Sequence, residues 1–251
     1  MNNTLKISAM ALALLAFTSC KQGTASENTV AELTVSPEAP TEVLIGNVIT
    51  KKEQDAMSPD DVMKSLIDGN ARFMKNNLTS RNYSEQVTNS ATGQFPEAVI
   101  LSCLDSRIPV ENVFDKGIGD LFVARVAGNF VNEDMLGSME FACKVSGSKL
   151  ILVLGHNNCG AINAAVDDVK LGNITPMLQK IKPAVAMVEY KGDRTSSNSE
   201  FVAMACESNV ENTIAKIRKD SPILKEMEDN GEIKIVGAVY SLETGKVEWL
   251  E

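Results

Sequence analysis

Histidine is almost missing from this 251-residue sequence, which holds a single one, His156. Any histidine chemistry must use that residue, and if it is committed to a ligand no second imidazole remains to carry protons. Positive charge is also short: Lys and Arg total 24 against 33 Asp and Glu, a formal net charge of −9. With no basic stripe to neutralise phosphates, a nucleic-acid partner is excluded and a small substrate is expected. C-x-x-C is absent, which argues against thiol redox catalysis. No internal repeat or low-complexity array interrupts the chain. The apolar run Ile7–Phe17 is too short to span a bilayer as a permanent helix.

That run is instead expected to be an export signal. Met1–Lys6 is short and basic, and Thr18-Ser19-Cys20 supplies small residues before a cysteine. F-T-S-C resembles a bacterial lipoprotein cleavage box, so residues 1–19 are expected to be removed and Cys20 to be acylated. The protein would then be lipid-anchored in the bacterial cell envelope, periplasmic or outer-membrane associated. Residues 20–56, rich in Thr, Ser, Glu, Pro and Asn, are expected to form a flexible tether, with packing of Val43–Val48 on a partner subunit as the alternative. Residues 57–251 are expected to form one domain, since no linker divides them.

Within the domain, Ser58-Pro59-Asp60-Asp61 predicts a helix start, with serine as N-cap, and the helix is expected over about 59–75. Asn76–Gly93 reads as loop or broken helix. Strands are expected at 98–102, 121–125, 150–154, 232–240 and 246–250, the last two as edge strands open to antiparallel pairing. Helical patterns cover 134–145, 160–169, 174–190 and 200–219, with a short helical turn at 110–114. This is an α/β pattern: a mostly parallel central sheet of four to five strands flanked by helices.

Two of these strands organise the rest. F-P-E-A-V-I-L-S-C-L-D-S-R ends in Cys103, Asp105 and Arg107, and K-L-I-L-V-L-G-H-N-N-C-G-A ends in His156 and Cys159. Neither run alternates, as suits parallel strands buried on both faces, and open α/β sheets bind ligands beyond the carboxyl ends of such strands. Two thiolates and one imidazole form a zinc ligand set whose charge cancels that of the ion. The plainer alternatives are buried packing for the cysteines and a strand-end hydrogen bond for His156. Asp105 and Arg107 can pair, which keeps the carboxylate ionised and able to orient a nucleophilic water; alternatively the pair only stiffens the loop, or a released Asp105 itself becomes a ligand. Asn157 and Asn158 read as turn residues or caps of the following helix. Gly155 and Gly160 read as close-approach positions around the ligands or plain turn glycines.

Together, C-L-D-S-R at 103–107, A-R-V-A-G-N at 124–129, G-S-M-E-F-A at 137–142, G-H-N-N-C-G-A at 155–161 and G-A-V-Y-S-L-E-T-G-K-V at 237–247 resemble the β-class carbonic anhydrases. The resemblance covers about Ser58–Leu250. It implies that Cys103, His156 and Cys159 bind one Zn2+ per subunit and that Asp105 and Arg107 form the catalytic dyad. The implied reaction is reversible hydration of carbon dioxide to bicarbonate and a proton, by attack of zinc-bound hydroxide. The implied working unit is a homodimer wrapped by amino-terminal helices, alone or paired into a tetramer. Gln94, Phe122, Ala127, Phe141 and Gly160 are implied pocket positions. Gln94, and Ile100 in place of a tryptophan, imply the open, plant-like subtype rather than the bicarbonate-regulated one. Val126 and Ala127 depart from the more usual Asn and Val.

Carbonic anhydrases with three histidine ligands are the usual illustration of a metal acidifying its water. Two thiolates donate more charge, so hydration here is expected to favour alkaline pH. The product proton is expected to leave through water, buffer or a carboxylate. Cys143 and Cys206 are expected as buried small hydrophobes without a disulfide. Hydration of another linear molecule such as carbonyl sulfide, or a non-catalytic zinc-binding lipoprotein, are the rival readings; long pocket insertions would mark the first, and loss of the dyad the second.

Overall fold

The two non-alternating runs form the middle of the sheet. In the computed structural model, which describes residues 44–250, β1 (Ala98–Ser102) and β3 (Leu150–His156) are buried along their whole lengths. They pair in parallel, Ala98 against Leu150 through Ser102 against Leu154. β2 (Leu121–Arg125) joins β1 in parallel, β4 (Lys234–Tyr240) joins β3 in parallel, and β5 (Val247–Trp249) runs antiparallel on β4. The order β2-β1-β3-β4-β5 matches the expected mostly parallel sheet. It corrects one detail: β4 is an interior parallel strand, and only β5 is an antiparallel edge. Because the chain steps outward from β1 to β2 and then returns to the other side of β1, β1 and β3 enclose a topological switch point. A crevice opens there at the carboxyl ends.

The period of two along each strand divides the core. Ala98, Ile100, Leu150, Leu152 and Leu154 face one apolar cluster, and Val99, Leu101, Ile151 and Val153 face the other. Helices cover both faces: α1 (Lys51–Ala56), α2 (Pro59–Met74), α3 (Tyr83–Ser90), α4 (Val110–Val113), α5 (Glu133–Glu140), α6 (Gly160–Val166), α7 (Ile174–Leu178), α8 (Lys182–Met187), α9 (Ser199–Asp220) and α10 (Pro222–Asp229). α2 begins as expected, with a reciprocal Ser58–Asp61 capping box. α5 runs on into a π-helical turn, Phe141–Val145, which completes the crossover to β3. The long α9 spans both clusters, Phe201, Val202 and Ala205 in the first and Val210, Ile214 and Ile217 in the second. It lies so close to the sheet that a Cβ on Gly155 or Gly237 would stand 2.7 Å or 2.6 Å from Val210. Gly155 is thus a close-approach position, though toward a helix rather than toward the ligands.

Other expectations change. The tether ends before residue 50: Thr50 and Glu53 form a capping box that opens α1, and Gln54 is buried, donating to the carbonyls of Pro96 at 2.8 Å and Ser146 at 2.9 Å. Ile45 bridges to Arg81, so residues from 44 onward already belong to the folded unit. Residues 1–43, including the expected signal segment and Cys20, lie outside the described residues. The helix expected over 174–190 is two short ones, because Pro183 has no N–H to bond the carbonyl four residues back and is accommodated only in the first turn of a new helix. α3 occupies part of the expected loop, started by Asn82, whose side chain accepts from Glu85 N.

Candidate metal centre

Each ligand candidate sits where a strand stops. Cys103 lies one residue beyond β1, His156 is the last residue of β3, and Cys159 is the N-cap of α6. All three are buried, and their ligating atoms lie within 4.8 Å of one another. The two sulfurs are 3.9 Å apart. Two thiolates on one tetrahedral zinc, each at about 2.3 Å, stand about 3.8 Å apart, so the observed spacing suits the ion.

The imidazole points the same way. His156 Nδ1 is 2.8 Å from the carbonyl oxygen of Asn157, which can only accept, so Nδ1 carries the proton and Nε2 holds a free lone pair. Nε2 is buried and has no hydrogen-bond partner. An orphaned buried acceptor between two sulfurs is the arrangement a metal ion satisfies. The thiols share a hydrogen bond that holds Cys103 well below the ordinary thiol range, against the opposing effect of burial, and pushes Cys159 up. A cation bound there replaces the shared proton. The Gly128 amide, 3.3 Å from Cys103 Sγ, adds a donor to that thiolate; Gly128 has φ +82° in the turn after β2.

Asp105 lies at the rim of this cluster, its Oδ2 4.0 Å from His156 Nε2. Arg107 grips it with three donors: backbone N to Oδ1 at 3.0 Å, Nε to Oδ1 at 2.9 Å and Nη2 to Oδ2 at 2.6 Å. These bonds hold the carboxyl well below the usual carboxylate range. Asp105 is therefore an ionised acceptor aimed at the cluster, engaged by Arg107 rather than ligating.

Several supports were not singled out from the sequence. Arg125, the last residue of β2, donates Nε to the Cys103 carbonyl at 2.9 Å and Nη2 to the carbonyls of Asp105 and Ile108 at 2.7 and 2.8 Å. One guanidinium thus satisfies three backbone acceptors of the 103–108 loop. Its signal was a lone basic residue closing an apolar strand. Cys206, on α9, is buried as expected, and its thiol also donates to the His156 carbonyl at 3.1 Å. Cys143 is buried too, its thiol pushed up to about 12 by desolvation, and the four cysteines among the described residues are free. Asn157 and Asn158 do not cap α6; their amides bond Glu243 in the β4–β5 turn. The β4 and β5 strands that deliver Glu243 were legible, but not which turn they meet.

The remaining pocket positions divide. Ala127 sits beside Gly128 in the turn against Cys103, and Gly160 follows Cys159. Gly160 needs no close approach, since an added Cβ there meets nothing within 4 Å. Phe122 and Phe141 pair edge to face, centroids 6.3 Å apart, in an open cleft of about 750 Å3 with Val99, Ala124 and Met135. Phe122 packs against the second apolar cluster, whereas Cys103 and Cys159 belong to the first. Gln94 is exposed before the amino end of β1, a strand length of roughly 15 Å from Cys103 at about 3.3 Å per residue. Within one chain these three do not meet the cluster.

Comparison with known proteins agrees with this geometry. A family profile described as "Carbonic anhydrase" matches residues 98–247. Carbonic anhydrase 2 of Mycobacterium tuberculosis is 35% identical over 195 residues, covering 75% of this chain and 91% of the relative. The carbonic anhydrase of Mycolicibacterium smegmatis is 34% identical over 197 residues, covering 76% and 93%. Among solved structures, the Coccomyxa β-carbonic anhydrase in complex with acetazolamide superposes with a TM-score of 0.58 at 26% identity, covering 65% of this chain and 75% of that one. With a parallel sheet that brings two cysteines and the only histidine to one switch point, the chain belongs to the β-class carbonic anhydrase family.

Proposed function

We propose that Asp105 and Arg107 serve as the catalytic dyad of this zinc-dependent enzyme, which hydrates carbon dioxide reversibly to bicarbonate and a proton. The carrying observation is a buried Cys103–His156–Cys159 set beside a carboxylate that Arg107 holds ionised. Zinc held by the three residues would supply Lewis acidity, which makes water a nucleophile at far lower pH than free water requires. Asp105 accepts a hydrogen bond from that water and aims its lone pair toward the substrate carbon. Arg107 fixes the carboxylate plane, and Arg125 holds the loop carrying both. Carbon dioxide gains the water oxygen and one proton leaves; with the sole histidine committed to zinc, that proton passes to solvent or buffer.

Arg107's grip on Asp105 also supports the open, plant-like subtype, because it keeps the carboxylate off the metal; Gln94 and Ile100 support it in sequence. Gln94, Phe122 and Phe141 reach the centre only if a second copy presents them, so the proposed unit is a homodimer, alone or paired into a tetramer. Mixing inactive Asp105→Ala and Gln94→Ala proteins under exchange conditions should then restore partial activity; no recovery despite exchange argues against shared sites. Export as a lipoprotein anchored through Cys20 in the cell envelope is supported by F-T-S-C after the apolar run. Among the described residues no helix is long and apolar enough to cross a membrane. Labelling with radioactive palmitate, lost in Cys20→Ser, tests the anchor.

The central experiment is stopped-flow hydration with zinc measured on the same sample. Asp105→Ala should keep the zinc and lose most turnover. Active protein without stoichiometric metal would contradict the zinc site, and full activity in the variant would remove the dyad's role.

A further inference from the structure

His156 ends β3 and Cys159 begins α6, so the dipeptide between them, Asn157-Asn158, sets the distance and angle between two of the three ligands. That dipeptide is not relaxed: Asn158 takes φ +52°, a left-handed conformation that asparagine tolerates better than most residues. The helix that follows offers no side-chain cap to hold it.

The restraint comes from 85 residues further along the chain, in the β4–β5 turn. Glu243 receives hydrogen bonds from both side-chain amides, from Asn157 Nδ2 on one carboxylate oxygen and from Asn158 Nδ2 on the other at 3.1 Å. Leu242 N donates to Asn157 Oδ1 at 2.9 Å, which fixes the orientation of that amide. Asn157 N donates to the Tyr240 carbonyl at 3.2 Å, and Ser241 Oγ donates to Glu243 at 3.2 Å. A single carboxylate thus gathers the two asparagines, while its own turn is pinned at both ends of the contact.

We infer that Glu243 is a positioning residue for the metal centre, holding the Asn157-Asn158 turn so that His156 and Cys159 are set for the cation before it binds. The inference rests on the Cys103–His156–Cys159 metal site. Glu243 touches neither ligand nor substrate; it acts through the two amides. Because it is exposed, its loss costs the fold little, and the effect is concentrated in how tightly and in what geometry metal is kept.

Transfer of zinc from the loaded protein to EDTA should be about tenfold or more faster in Glu243→Ala, the scale on which partners of metal ligands act. The cobalt-substituted variant should show displaced d–d bands, while the metal-free protein melts within about 2 °C of wild type. Glu243→Gln keeps one acceptor oxygen and should fall between wild type and Ala. Replacing both asparagines by alanine should accelerate release similarly and add little on top of Glu243→Ala. Zinc release within twofold of wild type in Glu243→Ala, with an unshifted cobalt spectrum, overturns the inference. So does Glu243→Gln releasing zinc as fast as Glu243→Ala, which would make charge rather than the held turn responsible. A wild-type protein that takes up neither zinc nor cobalt would instead overturn the underlying metal site.

Discussion

Replacing Arg107 by alanine should separate catalysis from stability. The Arg107 side chain is 58% exposed and that of Asp105 15%, so their ion pair is screened by solvent and contributes little to folding. For a domain of this size that shifts Tm by no more than about 4 °C. The catalytic loss is of another order. Without the guanidinium, Asp105 keeps only the backbone N–H at 3.0 Å and its plane is free to turn. Losing an oriented proton acceptor typically costs about 10²–10⁴-fold, or about 3–5 kcal/mol of barrier at 1.36 kcal/mol per tenfold. Asp105 returns upward toward the ordinary carboxylate range of about 3.9 yet stays ionised at assay pH, so raising the pH does not rescue the variant. Arg107→Lys restores charge without the planar fork and should remain impaired. Stopped-flow hydration, a thermal melt and zinc content on the same preparations read all three quantities. Arg107→Ala within threefold of wild-type turnover, or melting 10 °C lower, would refute the reasoning.

Other outcomes follow from the same geometry. Turnover should rise with buffer concentration at constant pH and ionic strength, because His156 is occupied by metal; strict independence would reveal a protein proton relay. Hydration should increase toward alkaline pH, and a profile already maximal near pH 6 would contradict the expected effect of two thiolate ligands. Asp115 is buried, and although desolvation raises its carboxyl, Arg81, Arg72 and Thr79 bring it down to about 2. Since its folded value is depressed, its stabilisation is present above about 3.9 and is lost as pH falls toward 2. Asp115→Asn should therefore cost about 3–5 kcal/mol at pH 7 by urea melts and flatten the acid limb; unchanged stability at pH 7 would show that the arginines find other partners.

Local signals read well wherever the chemistry was local. Ser58-Pro59-Asp60-Asp61 started α2 because a hydroxyl and a carboxylate three residues apart satisfy the first free amides wherever they occur. Thr50 and Glu53 carry the same signal, and the Thr- and Ser-rich composition around them obscured it; Ser221-Pro222 likewise opens α10, whose Leu224 and Met227 share a buried face, in a stretch left unassigned between the expected helix ending at 219 and the strand beginning at 232. The break between α7 and α8 follows from Pro183, whose effect a purely periodic reading averages away.

By itself the sequence determined the ligand types, their positions at strand ends and the parallel sheet, since single-histidine arithmetic and non-alternating apolar runs depend on neighbours along the chain. Only the tertiary structure decided that Arg125 closes over the Cys103 loop, that Glu243 meets Asn157 and Asn158, and that Gln94, Phe122 and Phe141 stand apart from the cluster in one chain. The physical reason is that strand order and helix packing set which turns and faces meet. A residue's type says what bond it can make, while the sheet decides what stands within reach.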